Sequence, residues 1–183
     1  MRSKGIFVGL STLILAIAIL LSSCRLEESY KSFSVEGITS YDIDQIAKQY
    51  TSGDLAFAQI DEVVFLPEIK MINYDEYVIY ISCYSETGSE QVTVESVQFK
   101  DDKKLFFNQG SKQSIIFQTT PTDGMFEGWI ESGVFTATDE EIVNRKKFYL
   151  ETQIQVTNGK KITTEKKKFE ITIVGHWGWV TPT

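Results

Sequence analysis

Residues 148–156, FYLETQIQV, alternate without a break. Phe148, Leu150, Thr152, Ile154 and Val156 fall on one side, and Tyr149, Glu151, Gln153 and Gln155 on the other. Successive side chains of an extended strand point to opposite faces, so this run has one face for a core and one for water. Asn158-Gly159 follows, a dipeptide that favours a tight hairpin turn. The chain then returns through KKFEITIVGHW, with Phe169, Ile171 and Ile173 inward. A two-stranded hairpin is marginal in water, so the rest of the chain must cover its apolar face.

Most of the remaining sequence also reads as strands. DEVVFLP is short and β-branched and is expected to end at Pro67. EYVIYISCYS is apolar on both alternate sets, as expected of a central strand covered on both sides. EQVTVESVQF alternates at Val92 and Val94 and resumes at Val97 and Phe99, so the phase slips at Glu95-Ser96 and predicts a β-bulge. A turn is expected at Asp101-Asp102, a strand in SKQSIIFQT before Pro121, and one or two more in GMFEGWIESGVFTAT. Thr138 and Glu141 have capping-box spacing and predict one helical turn.

One good helix stands out, TSYDIDQIAKQYTSG. Ile43, Ile46, Ala47 and Tyr50 form a single apolar stripe, Ser40 can cap the start and Gly53 can end it. Together these elements predict a mainly β fold. The expectation is an antiparallel β-sandwich of immunoglobulin-like architecture, with about 7–9 strands and one N-terminal helix packed on it. A half-barrel packed on the helix is the alternative.

Candidate chemistry is sparse. His176 is the single histidine, and no G-x-S-x-G elbow, zinc-spaced His/Cys set, calcium loop or glycine-rich phosphate loop accompanies it. Asp61-Glu62, Asp75-Glu76, Asp101-Asp102 and Asp139-Glu140-Glu141 sit at strand edges, turns or a helix start, where turn-forming and capping account for acids. No catalytic residue, metal site or cofactor is therefore assigned, and the domain reads as non-enzymatic. Cys83 lies in an apolar run and reads as a small buried hydrophobe. GHWGWV places Trp177 and Trp179 on one face of a strand, either capping the core or, with His176, offering a binding platform. The lysines of 160–168 with Arg145, Lys146 and Lys147 form a basic segment, read as an edge that resists pairing or as a contact for acidic partners.

The chain begins with Arg2 and Lys4, followed by a nearly unbroken apolar run from Ile6 to Leu21. A positive start, an apolar stretch and small residues before a boundary describe a secretory signal. Its alternative, an uncleaved single-pass anchor, is close in length. Leu21-Ser22-Ser23-Cys24 resembles the lipobox of bacterial lipoproteins. That resemblance implies a cleaved signal peptide over 1–23 and a diacylglyceryl thioether on Cys24, with the new amino terminus open to acylation. At about 0.8 kcal/mol per buried methylene, two or three such chains hold a protein on a membrane durably. Residues 24–38 then read as a lipidated flexible tether, and 39–183 as a single β-sandwich domain. Arg25 in place of an Asp after the cysteine leans toward the outer membrane in a Gram-negative host.

The full chain carries a net charge of −7, and loss of Arg2 and Lys4 makes the exported part more acidic still. Residues 24–100 hold 14 acids and 5 bases, whereas residues 101–183 hold 11 of each. Such a balance excludes nucleic acid as the expected partner, because phosphate binding needs a basic face. The expected function is that of a membrane-anchored envelope lipoprotein whose β-sandwich binds an envelope protein or a surface glycan. A periplasmic assembly component, or an inhibitor of a toxin or hydrolase, is the alternative.

Overall fold

The alternating run forms strand β9, Phe148–Asn158, in which every odd step from Phe148 to Val156 is half-buried and every even one buried. In the computed structural model, residues 25–180 are described apart from 74, 139–140 and 143–146, with side chains described from Ser32 to Val174. The predicted hairpin to β10, Lys161–Val180, forms through Gly159-Lys160, with Asn158 paired to Lys161. Gly159 has φ +59°, the left-handed conformation that the first loop residue of a type II′ turn requires.

Two sheets share the core. The first is six-stranded, in the order β1 (Arg25–Val35), β10, β9, β5 (Gln91–Lys100), β6 (Leu105–Gln109), with β7 (Gln113–Ile115) also pairing β5. The second runs β2 (Gln59–Ile60), β3 (Val63–Asn73), β4 (Glu76–Ser85), β8 (Phe126–Thr136). Each pairing with a resolved register is antiparallel. The expected mainly β, antiparallel class with one helix is therefore present, with ten strands among the described residues. The count exceeds the expected 7–9 because β2 and β7 are only two and three residues long.

The core is aromatic at its centre. Phe99 stacks on Phe148 with ring centroids 5.2 Å apart and meets Phe135 of the other sheet at the same distance. Tyr77 stacks on Phe135 at 5.4 Å and receives Phe33 edge-on at 5.4 Å. Rings offset or edge-to-face add attraction beyond their buried area, so this cluster ties the two sheets together.

Helix α1, Ile43–Ser52, buries Ile46 completely and packs Ile43, Ala47 and Tyr50 against the core. Gly53 ends it at φ +81°, as expected. The cap residue is Asp42 rather than Ser40, whose hydroxyl instead accepts the Asp42 N–H at 3.0 Å. The capping box also forms: Glu141 N–H donates to Thr138 Oγ1 at 3.3 Å and Thr138 N–H to Glu141 Oε2 at 3.1 Å.

Two details differ from the sequence reading and a third agrees with it. Pro67 does not end its strand, because β3 continues to Asn73. Its carbonyl accepts the Tyr41 hydroxyl at 2.7 Å rather than a ladder N–H, so the missing proline N–H faces the same unpaired edge and costs no ladder bond. Arg25–Val35, within the stretch expected to be a flexible tether, is a strand, with Phe33 and Val35 buried in the core. Their apolar contacts offset the entropy that a free tether would keep. The bulge at Glu95-Ser96 is where it was expected, as a register shift against β9 between Val94 and Ser96.

By Cα packing the chain divides into Ser32–Val174 and a second unit made of residues 1–31 and 175–183. In the second unit the backbone of residues 25–31 and 175–180 is extended. Among the described residues no helix is long and apolar enough to cross a membrane.

Candidate functional site

The sequence-predicted site residues are distributed as follows. Cys24 lies outside the described residues. His176, Trp177 and Trp179 fall within the backbone range of β10, but their side chains are outside the described set. Five of the paired acids have structural partners. Asp61 pairs with Lys161 and accepts Thr163 at 2.6 Å; those bonds hold its carboxyl below the usual range. Glu62 accepts Asn158 at 3.4 Å, and Glu76 accepts Asn73 at 2.6 Å. Asp101 closes the β5–β6 turn by accepting the N–H groups of Lys103 and Lys104. Glu141, bonded by Lys104 and by its capping contacts, is likewise held low. Asp139 and Glu140 lie outside the described residues.

Cys83 is fully buried, and desolvation pushes its thiol well above the ordinary value. That is the environment of an inert structural cysteine. The described lysines of the basic segment are largely engaged at home. Lys161 pairs with Asp61, Lys167 with Glu165 at 3.1 Å, Lys147 with Glu170, and Lys168 sits 3.9 Å from the Tyr149 ring centre. Among the described residues no group of three His, Cys, Asp or Glu side chains is placed to hold a metal ion.

The concave surface with the richest chemistry lies on the outer face of the four-stranded sheet. The register places Glu131, Trp129 and Glu127 of β8 opposite Tyr80, Ser82 and Tyr84 of β4, all on one face. On the far side of β4, Glu68 of β3 lies opposite Tyr80. These strands floor an open groove of about 560 Å³, walled by Tyr41 before the helix and by Gln118 from the segment after β7. Trp129 is 52 % exposed, a large ring left in water on a sheet face.

Each carboxylate of the groove has a defined partner. Tyr84 donates its hydroxyl to Glu127 at 3.2 Å, Tyr80 donates to Glu131 at the rim at 3.4 Å, and Lys70 pairs with Glu68 at 3.0 Å. The Lys70 ammonium also stands 5.3 Å from the Tyr80 ring centre. Burial pushes the pKa of Tyr41 and Tyr84 well above the ordinary tyrosine value, and the neighbouring carboxylates push the same way. Both hydroxyls therefore stay protonated and act as donors, Tyr84 to the Glu127 carboxylate and Tyr41 to the Pro67 carbonyl, rather than as nucleophiles.

A second, smaller hollow of about 340 Å³ adjoins the groove and shares Trp129 and Gln118 with it. Its own wall comes from Ser114, Ile116 and Phe117, and Ile116 is 85 % exposed. The segment carrying these residues crosses β8 at Gly128. A Cβ at that position would meet Ile115 Cγ2 at 2.7 Å and the Ile116 carbonyl oxygen at 2.8 Å, so only glycine admits the crossing. By contrast, the hollow beside α1 matches the groove in volume but has no aromatic in its lining, and its Lys48 already pairs with Asp44 at 3.6 Å.

The groove was not singled out by the sequence reading, which placed the aromatic platform at Trp177 and Trp179. A signal was nonetheless present. In EGWIE, alternation puts Trp129 on the side of Glu127 and Glu131, opposite Gly128 and Ile130. An aromatic on the polar side of a strand is a surface aromatic. No known protein family matches this sequence, and no curated protein matches it either.

Proposed function

We propose that this chain is a lipoprotein of the bacterial cell envelope, held to the membrane through Cys24, whose β domain is a non-catalytic binding module. The scaffold is read as a β-sandwich of immunoglobulin-like architecture, with the partner being an envelope protein or a surface polymer. The observation that carries the binding role is the open groove on the outer sheet face. It exposes half of Trp129 between carboxylates that tyrosine hydroxyls hold in place. A concave surface with an aromatic floor and a few fixed polar groups is the usual form of a recognition site. Tyr41 and Tyr84 are kept protonated and the thiol of Cys83 is buried, so the groove orients a ligand better than it activates a nucleophile.

The anchoring role rests on the lipobox likeness and places the domain at a membrane surface, the outer membrane where the host has one. Labelling cells with an alkyne-bearing palmitate and fractionating them tests it. The expected result is label on the wild-type chain in the membrane fraction and none on Cys24→Ala. Persistent label on Cys24→Ala would show that residues 21–24 are not a lipid attachment signal.

A further inference from the structure

We infer that the groove around Trp129 docks a basic, apolar-flanked polypeptide segment, seating a lysine or arginine side chain on the Trp129 ring between Glu127 and Glu131. This deepens the binding role proposed above and rests on it. The first observation is charge. Glu68 and Glu127 line the groove, and Glu131 stands beside it on the same sheet face, against a single lining cation, Lys70, which is already paired with Glu68. Glu127 and Glu131 form no ion pair with a described lysine, and their hydrogen bonds come from neutral tyrosines. Two carboxylates thus flank an exposed indole, with no positive charge between them among the described residues.

The second observation is a working example within the groove. Lys70 lies over the Tyr80 ring while its ammonium meets Glu68. Trp129 repeats the same combination of ring and neighbouring carboxylate, on a ring that attracts cations better than tyrosine does, but without the cation. Lysine and arginine suit such a place because their apolar stems cover a ring while the charged head reaches the carboxylates.

The third observation decides the class of partner. The adjoining hollow has an apolar part, where Ile116 and Phe117 stand with Trp129 beside the polar Ser114 and Gln118. One ligand filling both hollows must offer a cation and, beside it, an apolar group. A polypeptide with a basic residue near an aliphatic one does so. A neutral glycan can lay a C–H face on the ring but offers no cation.

The test uses the full chain in detergent and a fluorescent, acetylated peptide carrying one arginine and one leucine two residues on, among serines. Anisotropy should report binding that weakens with added salt, as expected for partly exposed charges. The same peptide with citrulline in place of arginine keeps the shape and loses the charge, and should bind at least tenfold more weakly. Glu127→Gln with Glu131→Gln should lose a similar factor, and their unchanged thermal melting would show that the fold is intact. Trp129→Ala should abolish binding.

Equal binding of the arginine and citrulline peptides would overturn the inference. So would binding of a neutral oligosaccharide that depends on Trp129 while the arginine peptide fails. That result would keep the groove as a binding surface and remove only the present assignment. Self-association of the chain that Glu127→Gln and Glu131→Gln abolish would make the occupant a second copy, and would also overturn it. If no probe responds to Trp129→Ala, the groove itself is not a binding site and both readings fall.

Discussion

The outer faces of the two sheets are built from the same residue types and end in different electrostatic states. On the six-stranded sheet, Glu151 sits between Lys100 at 2.8 Å and Lys168 at 3.9 Å, and Glu95 takes bonds from Lys112 and Gln153, both at 2.6 Å. Acid and base meet across neighbouring strands, and the face neutralises itself. On the four-stranded sheet, Glu127 and Glu131 meet tyrosines instead and keep their charge, with Trp129 between them. A hydrated, self-paired face has little to gain from a partner. A face that retains charge beside an exposed ring can gain both a counter-charge and apolar cover. Both faces rest on one core, so their difference is a difference of surface chemistry alone.

That last statement can be broken by Phe99→Ala. Phe99 joins the two sheets through Phe148 and Phe135, and its truncation should cost about 3–5 kcal/mol. Urea unfolding followed at tryptophan and by circular dichroism should still give one coincident transition. Two separated transitions would mean that each outer face belongs to its own cooperative unit.

A smaller effect is expected from Gly128→Ala. The added Cβ collides with the crossing segment and should cost about 1–3 kcal/mol. Hydrogen exchange should accelerate at the Gln118 N–H, which donates to the Glu127 carbonyl at 2.7 Å, and not on the six-stranded sheet. Acceleration on both sheets would show that the segment's closure supports the whole sandwich.

The smallest effect sharpens the comparison directly. Lys100 holds the Glu151 carboxyl below its ordinary range. A carboxyl depressed by folding contributes stability that is complete above its unfolded value, about 4.3, and fades as pH falls through the lower folded one. Glu151→Gln should therefore cost up to about 1 kcal/mol at neutral pH and nothing in strong acid. Glu131→Gln, which breaks no pair with a described lysine, should change stability by less than about 0.5 kcal/mol with no such dependence. Equal losses for the two variants, measured by urea titration at pH 7 and pH 3, would erase the distinction between the faces.

What the sequence made legible follows from how local each signal is. The alternation of β9, the Glu95-Ser96 bulge, the Thr138–Glu141 capping box and the Gly53 helix stop are all written within about ten residues, and all are present. The groove is not local. Trp129 faces Ser82 across a register set by pairing of distant strands and by a second irregularity at Ile79/Tyr80, which no single run announces. The strand at Arg25–Val35 was hidden for a related reason. Among its described side chains Phe33 and Val35 mark its inward side, and two positions are too few to establish a period. Pro67 misled because proline was judged by type, whereas its tolerance depends on which edge of the strand is unpaired.

The crossing at Gly128 has one more consequence. β8 ends its sheet, and a bare terminal strand presents free N–H and C=O groups to any other chain. Here the segment after β7 occupies that rim itself, bridging Phe117 to Gly128 and bonding Gln118 to Glu127. A rim already filled by the chain itself cannot seed the stacking of copies into fibrils. The glycine that admits the crossing is therefore also a guard against aggregation.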